Sequence, residues 1–203
     1  MPRPQLPETR RALIERAASL LARREPITLR ALVQGTQLST MAVYTYFDGM
    51  SGLWAAVRQE GFLRLGEQLA AIERGSDPVR HLSALGVAYV RNALGSPDLY
   101  RVMFDATWDL PDPAVSAAGF APLVTAALDA QEAGRFVRKF TPEDIAMRYW
   151  ADGHGVTSLA VTGVLTADQL RHHAPSMQIA QFVAAGDSPE RATRSVTAAW
   201  HDY

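Results

Sequence analysis

The 203-residue sequence contains no cysteine and only one lysine, Lys139. The absence of cysteine excludes disulfides and thiolate metal ligands. The longest stretches without a charged residue run from Ala31 to Phe47 and from Pro113 to Leu128, and both are too short to cross a bilayer. No apolar segment typical of a secretory signal follows Met1. We therefore expect a cytoplasmic protein with no membrane partner.

The motifs of common enzyme classes are also missing. The sequence has no HExxH, no GxSxG and no glycine-rich phosphate loop followed by lysine. The adjacent His172 and His173 would point to different faces of a helix, which makes a poor metal chelate. We predict no metal site, no cofactor and no enzymatic activity. A helical enzyme assembled from distant residues is the last alternative.

Charge is distributed unevenly along the chain. Residues 1–64 contain nine arginines and five acidic residues, a net charge of +4. Residues 65–203 contain eleven basic and sixteen acidic residues, a net charge of −5. A basic N-terminal part and an acidic remainder fit a protein that meets a polyanion through one part only. A segment of this charge can equally be an ordinary solvated surface, so charge alone leaves both interpretations open.

Hydrophobic spacing and capping residues predict helices along the whole chain, and no alternating pattern indicates strands. A first helix over residues 8–24 precedes two short helices capped by Thr28 and Ser39. Further helices are predicted over 51–74, 78–95, from 97 onward, and over 114–133, 141–164, 166 onward and 189–200. Pro175 is expected to kink or split its segment. We predict an all-α fold of about nine helices, with a three-helix head at residues 1–50 and a helical bundle at 51–203.

Residues 27–57 place a short helix, a turn and a second capped helix in close succession. This is the spacing of a helix-turn-helix, which presents its second helix to the DNA major groove. Val43 and Phe47 lie four residues apart and can anchor that helix to the core. The side chains then directed outward are those of Thr40, Met41, Tyr44 and Thr45. Two short helices joined by a turn also occur in proteins that bind no DNA, so spacing alone does not decide.

Two segments resemble a known family. Residues 38–47, LSTMAVYTYF, followed by Leu53, resemble the recognition-helix signature of TetR-type transcriptional regulators. Residues 150–155, WADGHG, followed by Leu159, resemble the Trp-His-Gly motif of the C-terminal domain in one TetR subgroup. The resemblance implies a homodimeric repressor that binds double-stranded operator DNA and is released by a small apolar effector. The remaining alternative is a ligand-sensing helical dimer that does not bind DNA.

The resemblance also implies DNA contacts at individual positions. Ser39 corresponds to the cap of the recognition helix. The positions that reach base edges correspond to Thr40, Met41, Ala42 and Thr45. The positions that meet backbone phosphates correspond to Tyr44 and Tyr46.

Four further positions bear on DNA affinity. Thr28 lies at the N-terminus of the preceding helix, where free amides favour an anion, and Arg30 can add a charge contact. The sequence departs from the family at Met50, where a lysine is common, and at Gln37, where a glycine is usual. We expect the missing lysine to weaken phosphate affinity.

A single recognition helix contacts only a few base pairs, so DNA recognition requires a two-fold dimer with heads about 34–36 Å apart. The resemblance places the dimer interface at residues 141–164 and 189–200. Small residues in the first segment would allow helices to approach closely: Gly153, Gly155, Ala160 and Gly163. The same residues can instead make room for a neighbour within the chain.

The acidic part of the chain is rich in aromatic residues, and the resemblance implies that it encloses an effector pocket. The candidate ligand contacts are Phe104, Trp108, Trp150 and His154. Indole and imidazole groups combine apolar contact with a hydrogen bond, which suits an apolar ligand with a polar group. Each of these side chains can equally fill a helical core.

Overall fold

The computed structural model of the protein describes residues 6–201. This range contains ten α-helices and no strand, which confirms the all-α class and comes close to the predicted number of helices. The helices are α1 (Leu6–Ala22), α2 (Leu29–Val33), α3 (Met41–Phe47), α4 (Met50–Ala70), α5 (Pro78–Gly95), α6 (Pro97–Met103), α7 (Ala114–Glu132), α8 (Pro142–Val161), α9 (Ala167–Ala184) and α10 (Pro189–Trp200). Residues 1–5 and 202–203 of the predicted domains lie outside the described range.

The described chain forms two compact units, which differ from the predicted division at residue 50. The first unit comprises residues up to 64 together with 96–116, and the second comprises 65–95 together with 117 onward. Helix α6 joins the first unit because Leu99 and Val102 are buried in the same apolar cluster as residues of α1 and α3. The functional division into a DNA-binding part at 1–50 and an effector-binding part at 51–203 stays a prediction.

The core of the first unit is built from regularly spaced apolar residues. In α1, Leu13, Ala17 and Leu20 follow one another at intervals of four and three residues and are fully buried. Each buried leucine contributes roughly 1.5–3 kcal/mol relative to an exposed one. The other helices add these buried residues: Leu32, Val43, Phe47, Leu53, Val57, Leu99 and Val102.

Local capping explains where four of the ten helices in the described range begin. In each of these helices, the side-chain oxygen of the preceding residue accepts a hydrogen bond from a backbone N–H in the first turn. Two of these caps also form capping boxes with the third residue of the helix. The four residues are Thr28, Thr141, Thr166 and Ser188.

The N-cap predicted at Ser39 is wrong. The N-cap of α3 is Thr40, and it makes no side-chain capping hydrogen bond. Thr40 itself has helical angles, φ −60° and ψ −24°, whereas a capping side chain needs an extended backbone. The first turn is closed instead by the Ser39 carbonyl, which accepts a hydrogen bond from the Ala42 N–H at 3.0 Å.

Proline does not divide the helix that contains Pro175. Helix α9 runs unbroken from Ala167 to Ala184 with Pro175 inside it, so the predicted split does not occur. Proline removes one backbone hydrogen bond, and packing on neighbouring helices can offset this cost. Leu170 and Ala174 supply such packing, since both are buried in an apolar cluster of the second unit.

Helices α5, α8, α9 and α10 belong to the second unit. The close approach of α5 to α8 and α9 requires a residue without a side chain at Gly86. A side chain at Gly86 of α5 would overlap the Tyr149 hydroxyl of α8 and approach the Gln178 amide of α9. With glycine there, the Tyr149 hydroxyl reaches the Leu82 carbonyl and donates a hydrogen bond to it at 3.1 Å. Helix α5 can therefore lie close to α8 and α9.

A buried ion pair also holds the second unit together. Arg135 and Asp187 have side chains that are only 5% and 1% exposed, and Arg135 Nε and Nη2 donate to the two Asp187 oxygens at 2.8 and 2.5 Å. Arg135 Nη1 also donates to Asp77 Oδ1 at 2.7 Å, and the Ser195 hydroxyl donates to Asp77 Oδ2 at 2.6 Å. The cluster thus joins the segment after α7, the start of α5, the residue before Ser188 and the middle of α10.

The same cluster determines the charge of Asp77. Burial raises the pKa of Asp77, but hydrogen bonds from Ser195 and the Arg80 N–H and the charge of Arg135 outweigh it and hold the pKa below its ordinary value. Asp77 therefore stays ionised and stabilises the fold above its unfolded pKa. This contribution is lost as pH falls through the lower folded pKa.

We expect Asp187→Asn to destabilise the protein by about 3 kcal/mol, because it leaves the Arg135 guanidinium buried with half of its charge partners removed. Urea denaturation at pH 7 measures the change in the free energy of unfolding. The matched control is Asp168→Asn, which breaks an exposed pair with Arg171 and should change stability little. Equal effects of the two substitutions would contradict the structural role of the buried pair.

Candidate functional site

The recognition helix α3 is held in place by two buried side chains. It is only seven residues long, and so short a helix is not stable alone in water. Val43 is fully buried and Phe47 is 7% exposed, which confirms the predicted anchors. The helix ends at Asp48, whose left-handed backbone (φ 55°, ψ 34°) lets its N–H bond back to the Tyr44 carbonyl.

Four of the predicted DNA-contacting side chains lie on the exposed side of α3. Met41 is 64% exposed and Tyr44 is 51% exposed, and both Thr40 and Thr45 are exposed. The Thr45 hydroxyl donates to the Met41 carbonyl at 2.9 Å, so its proton is already used within the helix. The Tyr44 ring lies against Gly49, where an added Cβ would be 3.6 Å from Tyr44 Cε1. The outward set predicted from spacing is thus reproduced.

Two other predicted contacts are less accessible. Ala42 and Tyr46 are half-buried and pack against the core of the first unit. The Tyr46 ring meets the Phe47 ring edge-on, with centroids 6.5 Å apart. A DNA contact from Tyr46 therefore has to come from the exposed part of its side chain.

Helix α2, which precedes the turn, is short, and one backbone N–H group in its first turn is already hydrogen-bonded within the chain. Thr28 Oγ1 accepts from the Ala31 N–H at 3.1 Å, which satisfies one of the donors that an anion would otherwise meet. Arg30 is exposed on the same helix. Arg16 of α1 donates to the Ala31 carbonyl at 3.4 Å and so ties α1 to α2.

The connection between α2 and α3 runs from Gln34 to Thr40, because α2 already ends at Val33. Its left-handed residue is Gly35, with φ 75°. The position that requires glycine is therefore Gly35 rather than Gln37, where the sequence departs from the family pattern.

Two of the predicted ligand residues belong to the first unit and have core contacts there. Phe104 lies 5.7 Å from Phe62 and 4.9 Å from Tyr100 between ring centroids. Trp108 stacks on Trp54 at 5.4 Å, and its carbonyl accepts a hydrogen bond from Arg58. Packing within the unit is therefore sufficient to explain both side chains.

The other two ligand candidates, Trp150 and His154, lie one turn apart on α8 in the second unit. Their ring centroids are 5.7 Å apart, and Trp150 meets Phe120 of α7 edge-on at 6.3 Å. His154 Nδ1 is 2.8 Å from the Tyr89 hydroxyl, and its Nε2 is 3.4 Å from the Ser158 hydroxyl. These aromatic side chains surround a polar pair, which is the kind of environment that a small apolar ligand with a hydrogen-bonding group requires.

Burial lowers the pKa of His154, because the charged imidazolium loses water on entering the interior. The ring is therefore neutral near pH 7, with one nitrogen as donor and the other as acceptor. A neutral imidazole can exchange hydrogen bonds with a ligand without a change of charge.

Sequence reasoning did not select Tyr89 and Phe120 as candidates. Tyr89 meets His154 across 65 residues of sequence, and no local pattern joins the two. Within the described range, no group of three or more potential metal ligands comes together. None of the described helices has the length and apolar content that a bilayer crossing requires.

The comparisons with known proteins agree with this architecture. A family model described as tetracycline repressor-like, C-terminal domain, matches residues 82–179. A protein of unknown function from Rhodococcus sp. RHA1 has a similar structure, with 25% identity, a TM-score of 0.75, and coverage of 88% of this chain and 96% of that chain. No curated protein sequence matches the chain significantly.

Two similar structures belong to proteins that are described with a small ligand. RolR in complex with resorcinol is 19% identical, with a TM-score of 0.66 and coverage of 95% of each chain. A gamma-butyrolactone receptor described as ArpA-like is 19% identical, with a TM-score of 0.66 and coverage of 98% of this chain and all of the other. The comparisons do not confirm the Trp-His-Gly subgroup. Residues 82–179 are thus similar to the C-terminal domain of tetracycline repressor-like proteins, and the similar structures share the all-helical fold of this chain.

Proposed function

We propose that the protein is a homodimeric repressor that binds operator DNA and is released by a small apolar effector. The observation that supports DNA binding is the division of α3 into a buried side and an exposed side. Val43 and Phe47 fix the helix to the core, whereas Met41 and Tyr44 stand exposed. A helix held in this way can enter a major groove without loss of its own packing.

The exposed residues have the chemistry that DNA contacts require. Thr40, Met41 and Thr45 offer methyl groups and hydroxyls to base edges. Ala42 is also proposed to contact base edges. The residues proposed to contact the DNA backbone are Tyr44, Tyr46, Thr28 and Arg30, and Ser39 is proposed to lie at the DNA where the helix begins. Hydroxyl and guanidinium donors to phosphate oxygens fix the position of the protein on the duplex but do not select its sequence.

The effector site is proposed in the second unit, around Trp150 and His154. The support is the neutral His154 paired with Tyr89 among aromatic rings. The fold is shared with RolR, solved in complex with resorcinol, and with a gamma-butyrolactone receptor, both of which are described with small ligands. To release DNA, the effector must bind the DNA-incompetent state more tightly than the competent one, since equal affinity shifts nothing.

The dimer interface is proposed to include α8. A Cβ added at Gly153 or Gly155 would meet nothing within 4 Å, so neither glycine makes room for a neighbour within its own unit. Leu159, one turn after Gly155, is 44% exposed. Gly163 has a different role, because its φ of 80° marks the left-handed end of the helix. An open glycine beside an exposed leucine favours close approach by a second copy.

DNase footprinting on the intergenic DNA beside the protein's own gene tests the proposed function. We expect one protected region with two half-sites about one helical turn apart, because two recognition helices must enter successive major grooves. The absence of protection at low salt, with the dimer present, would contradict DNA binding and favour a ligand-sensing dimer.

Tyr44→Ala should weaken binding of the dimer to the protected duplex about a hundredfold, because each of the two copies loses a hydrogen bond to a charged group worth roughly 1.4 kcal/mol. The thermal midpoint should stay unchanged, because the side chain is 51% exposed. Gel shifts at fixed salt give the affinity. Val43→Ala is the control, and it should destabilise the first unit instead. A Tyr44 variant that unfolds easily but binds normally when folded would identify Tyr44 as a core residue.

Gly155→Leu should convert the dimer to a monomer without unfolding it. Leucine favours helix over glycine by nearly 1 kcal/mol, and the side chain has open space within the chain. Sedimentation equilibrium measures the oligomeric state, and Gly155→Ala is the matched control that should remain dimeric. A Leu variant that dimerises as tightly as the wild type would place the interface elsewhere.

A further inference from the structure

The DNA-binding part of the chain has an unusual gap in its positive charge. Residues 31–57, which include α3 and the turns on both sides of it, contain no lysine, arginine or histidine, and Asp48 is acidic. Affinity for DNA depends largely on the neutralisation of phosphates by cations, which releases bound counterions. The cations that the recognition helix lacks must therefore come from other helices.

Most arginines of the first unit are already engaged within the described chain. Arg16 and Arg58 donate to backbone carbonyls. The arginines paired with a neighbouring carboxylate are Arg11 with Glu15, Arg23 with Glu25, Arg64 with Glu60 and Arg101 with Asp98. Among the described residues of this unit, those without a carboxylate or carbonyl partner are Arg10, Arg24 and Arg30.

Of these three, Arg10 is the one in contact with the recognition helix. Its guanidinium carbon lies 5.4 Å from the centroid of the Phe47 ring, within the range of a cation–π interaction. Phe47 is the last residue of α3 and is itself fixed in the core. The ring therefore holds the planar guanidinium at the C-terminal end of α3, while the N–H groups at its edge remain available to oxygen acceptors.

We propose that Arg10 binds a DNA backbone phosphate and that the Phe47 ring positions it to do so. The inference rests on the proposed DNA-binding function. It assigns to α1 the charge contact that residues 31–57 do not supply. A different role would be purely structural, since a cation near the C-terminal end of a helix stabilises that end without DNA.

The salt dependence of DNA binding separates these roles. The probe is the duplex protected in the footprint, with a random-sequence duplex of equal length beside it, and affinities are measured between 50 and 200 mM salt. For Arg10→Gln we expect the slope of log K against log salt to fall by about two units per dimer, one phosphate from each copy. The ratio of wild-type affinity to Arg10→Gln affinity should therefore fall about tenfold between 50 and 200 mM salt, on both duplexes.

Two variants serve as controls. Arg10→Lys keeps the charge and should retain the wild-type slope. Arg11→Gln removes the adjacent arginine, which faces Glu15, and should also leave the slope unchanged. Thermal midpoints measured without DNA show whether each variant is folded.

Each outcome decides between the possibilities. A wild-type slope in Arg10→Gln, with or without a lower thermal midpoint, would overturn the phosphate contact and leave Arg10 a structural role. An equal loss of slope in Arg11→Gln would show a general charge effect rather than a positioned contact. If the wild type itself binds no duplex, the proposed function fails, which is distinct from a failure of the Arg10 proposal.

Discussion

A seven-residue helix in water gains too few hydrogen bonds to offset the cost of its first turn, so α3 depends on what it packs against. Val43 and Phe47 provide this packing by burying one side of α3 in a core that α1, α4 and α6 complete. The direction of Met41 and Tyr44 follows from that burial, because side chains on a helix keep fixed angles to one another. The proposed DNA recognition would thus depend on apolar contacts inside the first unit rather than on the exposed residues alone.

The same dependence explains why α6 belongs to the same unit as α3. Leu99 and Val102 are buried in one core with residues of α1 and α3, although α6 lies far from both helices in sequence. Arg58 then fixes the segment after α6, since it donates to the carbonyls of Met103 and Trp108. A change in the position of α6 would therefore disturb the support of the recognition helix.

Local features of the structure could be predicted from the sequence, and contacts between distant segments could not. Caps such as Thr141 and Thr166 depend on residues three positions away, and the Val43–Phe47 anchor depends on helical spacing. Ser39 failed as a cap because the backbone angles of Thr40, not the residue type, decide where α3 begins. The pairs Tyr89–His154 and Arg10–Phe47 join residues far apart in sequence. A single sequence contains no signal for such pairs, because either partner is equally suited to a solvated surface or a core.

The contacts of His154 in the second unit limit which ligands the proposed effector site could accept. The Tyr89 hydroxyl and His154 Nδ1 already bond to each other at 2.8 Å, so a ligand that separates them must replace that hydrogen bond or lose affinity. Burial keeps His154 neutral, and a charged ligand would therefore gain no ion pair from it while losing its own hydration. A neutral ligand with one hydroxyl or carbonyl group avoids both costs. Apolar contact with Trp150 and Phe120 would then supply the affinity, and exchange of the Tyr89–His154 bond would supply the selectivity.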